Sequence, residues 1–149
     1  MTGCVRSYME QTIDVLAALL IQQAAVQDRI RALEEEKKQI LLRGTVEELD
    51  KLLNAEQPHL MSSSNLERRR AELQETLGIS KADMQRILKE PASEEEQYLA
   101  EAYARLKESV ERLKKVGDLN GRILQSRIET KKSLLRIFGL DGDVPTYSK

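Results

Sequence analysis

His59 is the only histidine in the chain and Cys4 the only cysteine. Any nucleophile activated by an imidazole would therefore have to combine His59 with Cys4 or with one of Ser62 to Ser64. No motif holds these residues in a shared geometry. Glu56 and His59 form a Glu-x-x-His pair, the spacing that di-iron helical bundles use, but such a centre needs a second pair and two further carboxylates. With Pro58 inside it, this half-site reads as coincidence. Asp141, Gly142 and Asp143 are too short a run for a calcium loop, and no Gly-x-x-x-x-Gly-Lys phosphate loop is present. The many Glu–Lys and Glu–Arg neighbours are helix-surface pairs rather than acid–base couples. The expectation is a protein that is not an enzyme, has no cofactor and no metal, and works through a surface rather than a pocket.

The elements behind that surface are helical. The chain has 149 residues, with 33% charged, 3% aromatic and no Trp. Such a composition suits helices that pack through Leu, Ile, Val and Ala. The first helix is expected from about Thr2 to Leu42, where Leu19, Val26, Leu33 and Ile40 recur every seventh residue and Leu16 and Ile30 fall between them, a coiled-coil-like seam. Gly44 ends it, and Thr45 with Glu48 reads as a capping box that turns the chain back. The second helix carries Val46, Leu49, Leu52, Leu53, Leu60, Leu66, Leu73 and Leu77. Pro58 and the serines Ser62 to Ser64 predict a kink or break near Gln57. After Gly78, Ser80 and Asp83 cap a short helix over Lys81 to Lys89, which Pro91 stops.

Ser93 with Glu96 reads as a second capping box and opens a helix over residues 94–138. Its apolar positions run Leu99, Tyr103, Leu106, Val110, Leu113, then Leu124, Ile128, Leu135 and Phe138. At about 1.5 Å per residue it spans roughly 65 Å, too long for a compact globule of this size. Gly117 and Asn120 interrupt the stripe, and a polar Asn at a core position commonly fixes register. The same interruption, with Gly121, would also make this the loosest part of the helix. Gly139 closes the helix. The predicted fold is all-α: an elongated antiparallel helical bundle or coiled-coil hairpin of three main helices plus one short helix. Residues 1–140 form one domain and 141–149 a flexible tail.

Charge and cysteine usage narrow the partners. The net charge is −1, yet from Arg112 to Arg136 there are eight Lys or Arg against two acids, Asp118 and Glu129. This basic band reads as a solvated face that meets the acidic run Glu94 to Glu96 or Glu34 to Glu36 on a neighbouring helix. It comes without the aromatic interleaving or the fold motif of a nucleic-acid binder. One cysteine supplies no internal disulfide, which fits a reducing cytoplasm. The apolar run Ala17 to Ile21 is flanked by Glu10, Asp14, Asp28 and Arg29, and is neither a signal peptide nor a membrane span.

The order of these elements resembles one family. A long first helix, the turn Gly44-Thr45-Val46-Glu47-Glu48-Leu49, a charged second helix ending Leu77-Gly78-Ile79, a short helix, and a last helix holding Leu119-Asn120, Ile123-Leu124 and Leu134-Leu135-Arg136-Ile137-Phe138-Gly139 together resemble the FlgN family of bacterial flagellar export chaperones. The resemblance implies a cytoplasmic chaperone. Its clients would be the flagellar hook-associated proteins of the hook–filament junction, kept from assembling early and delivered to the flagellar export gate of the type III apparatus. A client segment that is amphipathic but unfolded alone would bury its apolar stripe on a helix of the chaperone. Leu124, Ile128, Leu134, Leu135, Ile137, Phe138 and Leu140 are the expected client-binding residues. They occupy more than one face of the helix end, and packing within the chain does not readily bury them all. Tyr147 resembles the C-terminal tyrosine that some flagellar chaperones present to the export gate.

Two other readings predict different behaviour. A structural coiled-coil or dimerisation module would satisfy every stripe within the chain or by self-association, with no dependence on residues after Phe138. A basic helix binding nucleic acid or anionic lipid through Arg112 to Arg136 would lose affinity steeply with salt.

Overall fold

Heptad spacing on three long helices gives the molecule its shape. In a computed structural model describing residues 2–139, with side chains from residue 12, the elements are α1 (Thr2–Arg43), α2 (Val46–Thr76), α3 (Lys81–Lys89) and α4 (Glu94–Ile137). No strand occurs among the described residues, and the fold is all-α. The Cys4 side chain, Leu140, Tyr147 and the tail expected over 141–149 lie outside the described residues.

Two sets of polar contacts define the directions of the helices. Gln23 donates to Glu67 and Gln27 to the Ser63 hydroxyl, each at 2.8 Å, so numbers rise on α1 as they fall on α2 and the pair is an antiparallel hairpin. Asn120 donates to Glu34 and Arg127 to the Leu41 carbonyl, both across a separation of 86 residues. A constant separation means that α4 runs parallel to α1. The chain achieves this because α2 and α3 carry it back to the start of α1 before α4 begins. α1 is the middle member, with α2 on one flank and α4 on the other, while α3 packs on α4.

The expected stripe on α1, Leu19, Val26, Ile30, Leu33 and Ile40, is buried or half-buried. A second stripe on the same helix holds Ala17, Leu20, Ala24 and Leu41, all buried. On α4 the seam is Leu99, Ala102, Leu106, Ser109, Leu113, Val116, Asn120 and Ile123, buried or half-buried. These positions alternate in steps of three and four, as a packed helical seam requires. Tyr103 and Val110, expected on this stripe, are exposed. Small Ala102 and Ser109 beside them are buried instead, Ala102 in one cluster with Leu16 and Leu20 of α1.

The break expected near Gln57 is absent: α2 is helical without interruption through Pro58. Pro58 itself is exposed, as is Asn54. The Asn54 carbonyl loses its helical donor and can turn to water instead. The inward residues on either side hold the helix to α1, through the Lys37–Glu56 ion pair at 2.8 Å and the Gln27–Ser63 hydrogen bond.

Capping is local and mostly as expected. Thr45 accepts from the Glu48 N–H at 3.2 Å, although the Glu48 carboxylate accepts from the Thr45 hydroxyl at 3.4 Å. That second bond goes to the hydroxyl rather than to a backbone N–H, so the box is not closed. Ser80 and Asp83 cap α3 reciprocally, at 2.9 and 3.0 Å. Ser93 accepts from the Glu96 N–H at 3.1 Å, and the Glu96 carboxylate reaches past it to the Ala92 N–H and to a two-pronged pair with Arg86. Such forked, charge-assisted bonds fix geometry as well as adding energy. Gly78 takes a φ of 68. This left-handed turn ends α2.

Core thickness differs between the ends. Leu16, Ala17, Leu20, Met84, Ile87, Leu99 and Ala102 form one buried cluster where all four helices meet, with Leu73, Leu77 and Ile79 against it. Toward the α1–α2 turn only Leu41 and Leu52 are buried apolar residues.

Replacing Pro58 by Ala restores the donor to the Asn54 carbonyl on an exposed surface. Thermal denaturation followed by helical circular dichroism is expected to show a gain of about 1–3 kcal/mol, the helix-interior cost of proline less its effect on the unfolded chain. An unchanged or lower melting temperature would show that α2 accommodates the proline without loss.

Candidate functional site

Between the thick end and the turn, a polar node joins three helices. Glu34 on α1 accepts at 2.7 Å from the Asn120 side chain on α4, and the same amide is 2.7 Å from the Glu34 backbone carbonyl. Lys37 pairs with Glu34 and with Glu56 of α2. Burial raises the affinity of Glu56 for its proton, and a hydrogen bond to Glu34 raises it further, above its ordinary value. Both effects disfavour the charged form. Burial opposes the charge on Glu34 too, but hydrogen bonds from Glu56, Lys37 and Asn120 outweigh it and hold that carboxyl low. The two carboxyls are thus pushed in opposite directions, Glu56 toward its neutral form and Glu34 toward its charged form, with Lys37 in contact with both. The Glu56–His59 spacing therefore serves packing: Glu56 is committed to Lys37 and Glu34, and His59 is half-buried on the α2 seam. Among the described residues no three His, Cys, Asp or Glu side chains gather as a metal site.

Asn120 is buried at 4% exposure, on the seam where its spacing in the sequence places it. Seven residues further on, Arg127 donates to the Leu41 carbonyl. That carbonyl is one of those left free in the last turn of a helix. α1 stops at Arg43, which the constant separation sets opposite residue 129. The stretch from residue 130 to Ile137 therefore projects beyond the end of α1. At the rise of an α-helix this is about 12 Å of α4.

The expected client-binding residues sit on this projecting end and the two turns before it. Leu124 is 45% exposed, Leu134 51%, Ile137 74% and Phe138 72%. Ile128 and Leu135 are half-buried. The structure brings these six together at one end of the rod, while Leu140 and Tyr147 lie outside the described residues. Two further exposed residues lie at the same end: Leu42 in the last turn of α1, and Val46, expected among the apolar positions of the second helix but 78% exposed at the start of α2. The signal available for them is an apolar residue on each side of the Gly44-Thr45 turn, where few inward positions remain.

The basic band does not meet the acidic runs expected to cover it. Glu96 pairs with Arg86, Glu34 with Lys37, and Arg112 with Glu108 one turn before it on its own helix. Among the described residues, Arg122, Lys131, Lys132 and Arg136 have no carboxylate within ion-pairing distance. A groove lies at the other end of the molecule. It has a volume of about 510 Å³ and is lined by Leu16, Leu20, Met84, Leu88, Tyr103 and Leu106, with Arg70 and Lys81 at its edge. Among the described residues no helix is long and apolar enough to cross a membrane.

The described residues form an all-α rod whose apolar residues at one end are exposed. The family model described as FlgN protein matches residues 9–149, nearly the whole chain, and the chain belongs to the FlgN family. No curated protein and no solved structure gives a match to it.

The polar node carries a pH signature. The raised Glu56 carboxyl has an ordinary value of 4.5. It contributes stability that is complete below that value and is lost as pH rises through the folded value. The lowered Glu34 carboxyl starts from the same 4.5. Its contribution is present above that value and is lost as pH falls through the folded value. Glu56→Gln keeps a neutral side chain able to donate to Glu34. Urea unfolding from mildly acidic to neutral pH is expected to show a decline in wild-type stability above about 4.5 that is smaller in Glu56→Gln. Parallel curves for the two proteins would show that Glu56 is ionised throughout.

Proposed function

We propose that this chain is a cytoplasmic flagellar export chaperone. It holds the helical terminal segments of the flagellar hook-associated proteins of the hook–filament junction before their type III secretion. The observation that carries this reading is the free end of α4: Leu134, Ile137 and Phe138 are more than half exposed where α1 has already ended. A client segment that is amphipathic but disordered alone gains a partner for its apolar stripe there, the helix-in-groove mode. The ordering cost of the client keeps the complex releasable. Tyr147, in the segment after α4, is the residue that would meet the export gate.

Co-purification of the full chain with C-terminal helical segments of the junction proteins tests the reading. A complex is expected that survives high salt, because burial of apolar surface is not screened. In Leu134→Ala with Phe138→Ala, affinity is expected to fall about tenfold or more while helical circular dichroism stays near wild type. Unchanged affinity in the double variant would remove these residues from the site. A stable self-dimer with no client complex would instead favour the structural coiled-coil reading.

A further inference from the structure

The seam that α4 presents to α1 ends at Ile123, and its next positions would be Arg127, Thr130, Leu134 and Ile137. From Leu124 onward a second stripe starts one residue later: Leu124, Ile128, Lys131, Leu135, Phe138. It advances in steps of four and three, so it stays on one side of the helix. That side is displaced around the helix from the seam that ends at Ile123; on it Leu124, Lys131 and Phe138 are exposed, while Ile128 and Leu135 are half-buried. Its centre is not apolar, because Lys131 stands between Ile128 and Leu135.

The charges around this stripe are predominantly basic. Over residues 122–138 there are five basic residues, Arg122, Arg127, Lys131, Lys132 and Arg136, against one acid, Glu129. Arg127 is occupied by the Leu41 carbonyl, and Glu129 accepts from Gln125 at 3.2 Å. A helix laid on the stripe would cover Lys131, and a covered ammonium without a counter-charge is strongly disfavoured. A second copy of this chain brings the same cations to the same place and repels. A lipid surface suits a helix whose lysines flank its apolar stripe and reach outward, whereas Lys131 lies in the middle of this one.

We propose that the partner of this face is a protein helix with acidic side chains flanking its apolar stripe, one of them placed to meet Lys131. This rests on the client-binding reading and adds the chemistry by which clients are sorted: the apolar stripe supplies the holding, and the charges select orientation and partner.

Two synthetic helical peptides with one apolar stripe, flanked by Glu in one and Lys in the other, provide the test, read by fluorescence anisotropy with the full chain. The Glu peptide is expected to bind about tenfold tighter at low ionic strength, with the ratio shrinking toward one as salt is added while residual binding persists. Lys131→Glu with Lys132→Glu is expected to narrow or reverse the preference, and recovery of the Lys peptide in that variant excludes simple misfolding. Equal binding of the two peptides, or a preference unmoved by the charge reversal, overturns the proposal. So does sedimentation with phosphatidylglycerol vesicles but not phosphatidylcholine vesicles, without discrimination between peptides, which assigns the face to an anionic membrane. Co-purification of junction segments without charge preference would leave the chaperone reading standing and this proposal refuted. Selective capture of the Glu peptide without junction segments would do the reverse.

Discussion

A seam of heptads can slide. Moving α4 along α1 by seven residues, about 10 Å, returns large side chains to facing positions and leaves an apolar interface nearly as good as before. The contact between Asn120 and Glu34 removes that freedom. The Asn120 amide is held by both a backbone carbonyl and a carboxylate of one residue. A slide would strand buried polar groups at about 1–3 kcal/mol each. Arg127 on the Leu41 carbonyl enforces the same register further along. Because the separation is fixed, the place where α1 ends is also the place where α4 becomes bare, and the candidate site is a consequence of register as much as of its own residues.

The two ends of the rod differ in what holds them. Near the start of α1, four helices meet over a cluster that includes Leu16, Leu20, Met84 and Leu99. Toward the turn, the seams pass through Glu34, Lys37, Glu56 and Asn120, and little apolar surface is buried beyond them. Gly117 and Gly121 lie in α4 on either side of Asn120, with open space where a side chain would be. Each lowers helix stability by about 1 kcal/mol relative to Ala. Local opening therefore begins at the turn end, where the core is thinnest. The candidate face lies at this thinner end, away from the cluster where the four helices meet.

Legibility of the fold follows residue size. The stripe of α1 made of Leu19, Val26, Ile30, Leu33 and Ile40 is readable because each position is large and apolar. The stripe facing α4 is not, since it runs through Ala17, Ala24, Arg31 and Glu34, and alanine and charged residues carry no periodic signal. The same difficulty displaces the α4 stripe by one residue: Tyr103 and Val110 are bulkier than Ala102 and Ser109, but closely packed parallel helices favour the smaller pair. On α2 the seam positions Glu56, His59, Ser63 and Arg70 are polar, so the helix looks weak around Pro58, although the bonds of Glu56 and Ser63 to α1 are what hold it there. The candidate face is legible for the opposite reason, since Leu134, Leu135, Ile137 and Phe138 exceed what one helix side can bury. Where α1 stops relative to them is not readable, because it depends on the Asn120–Glu34 register.

An exposed apolar end invites unwanted association, and the way α4 limits that hazard also explains its composition. Leu124, Leu134, Ile137 and Phe138 are spread over a wide arc of the helix rather than gathered as one flat patch, and Lys131 divides the stripe that starts at Leu124. Division of this kind keeps the contiguous apolar area small. The basic residues around it keep water and like charge at the surface, which opposes stacking of identical ends. A face divided in this way gains little from a flat or unmatched surface. It suits an element narrow enough to follow the arc, and a single helix meets that condition. The part of α4 that α1 leaves uncovered runs to Ile137. It is long enough for about two turns of contact with such an element.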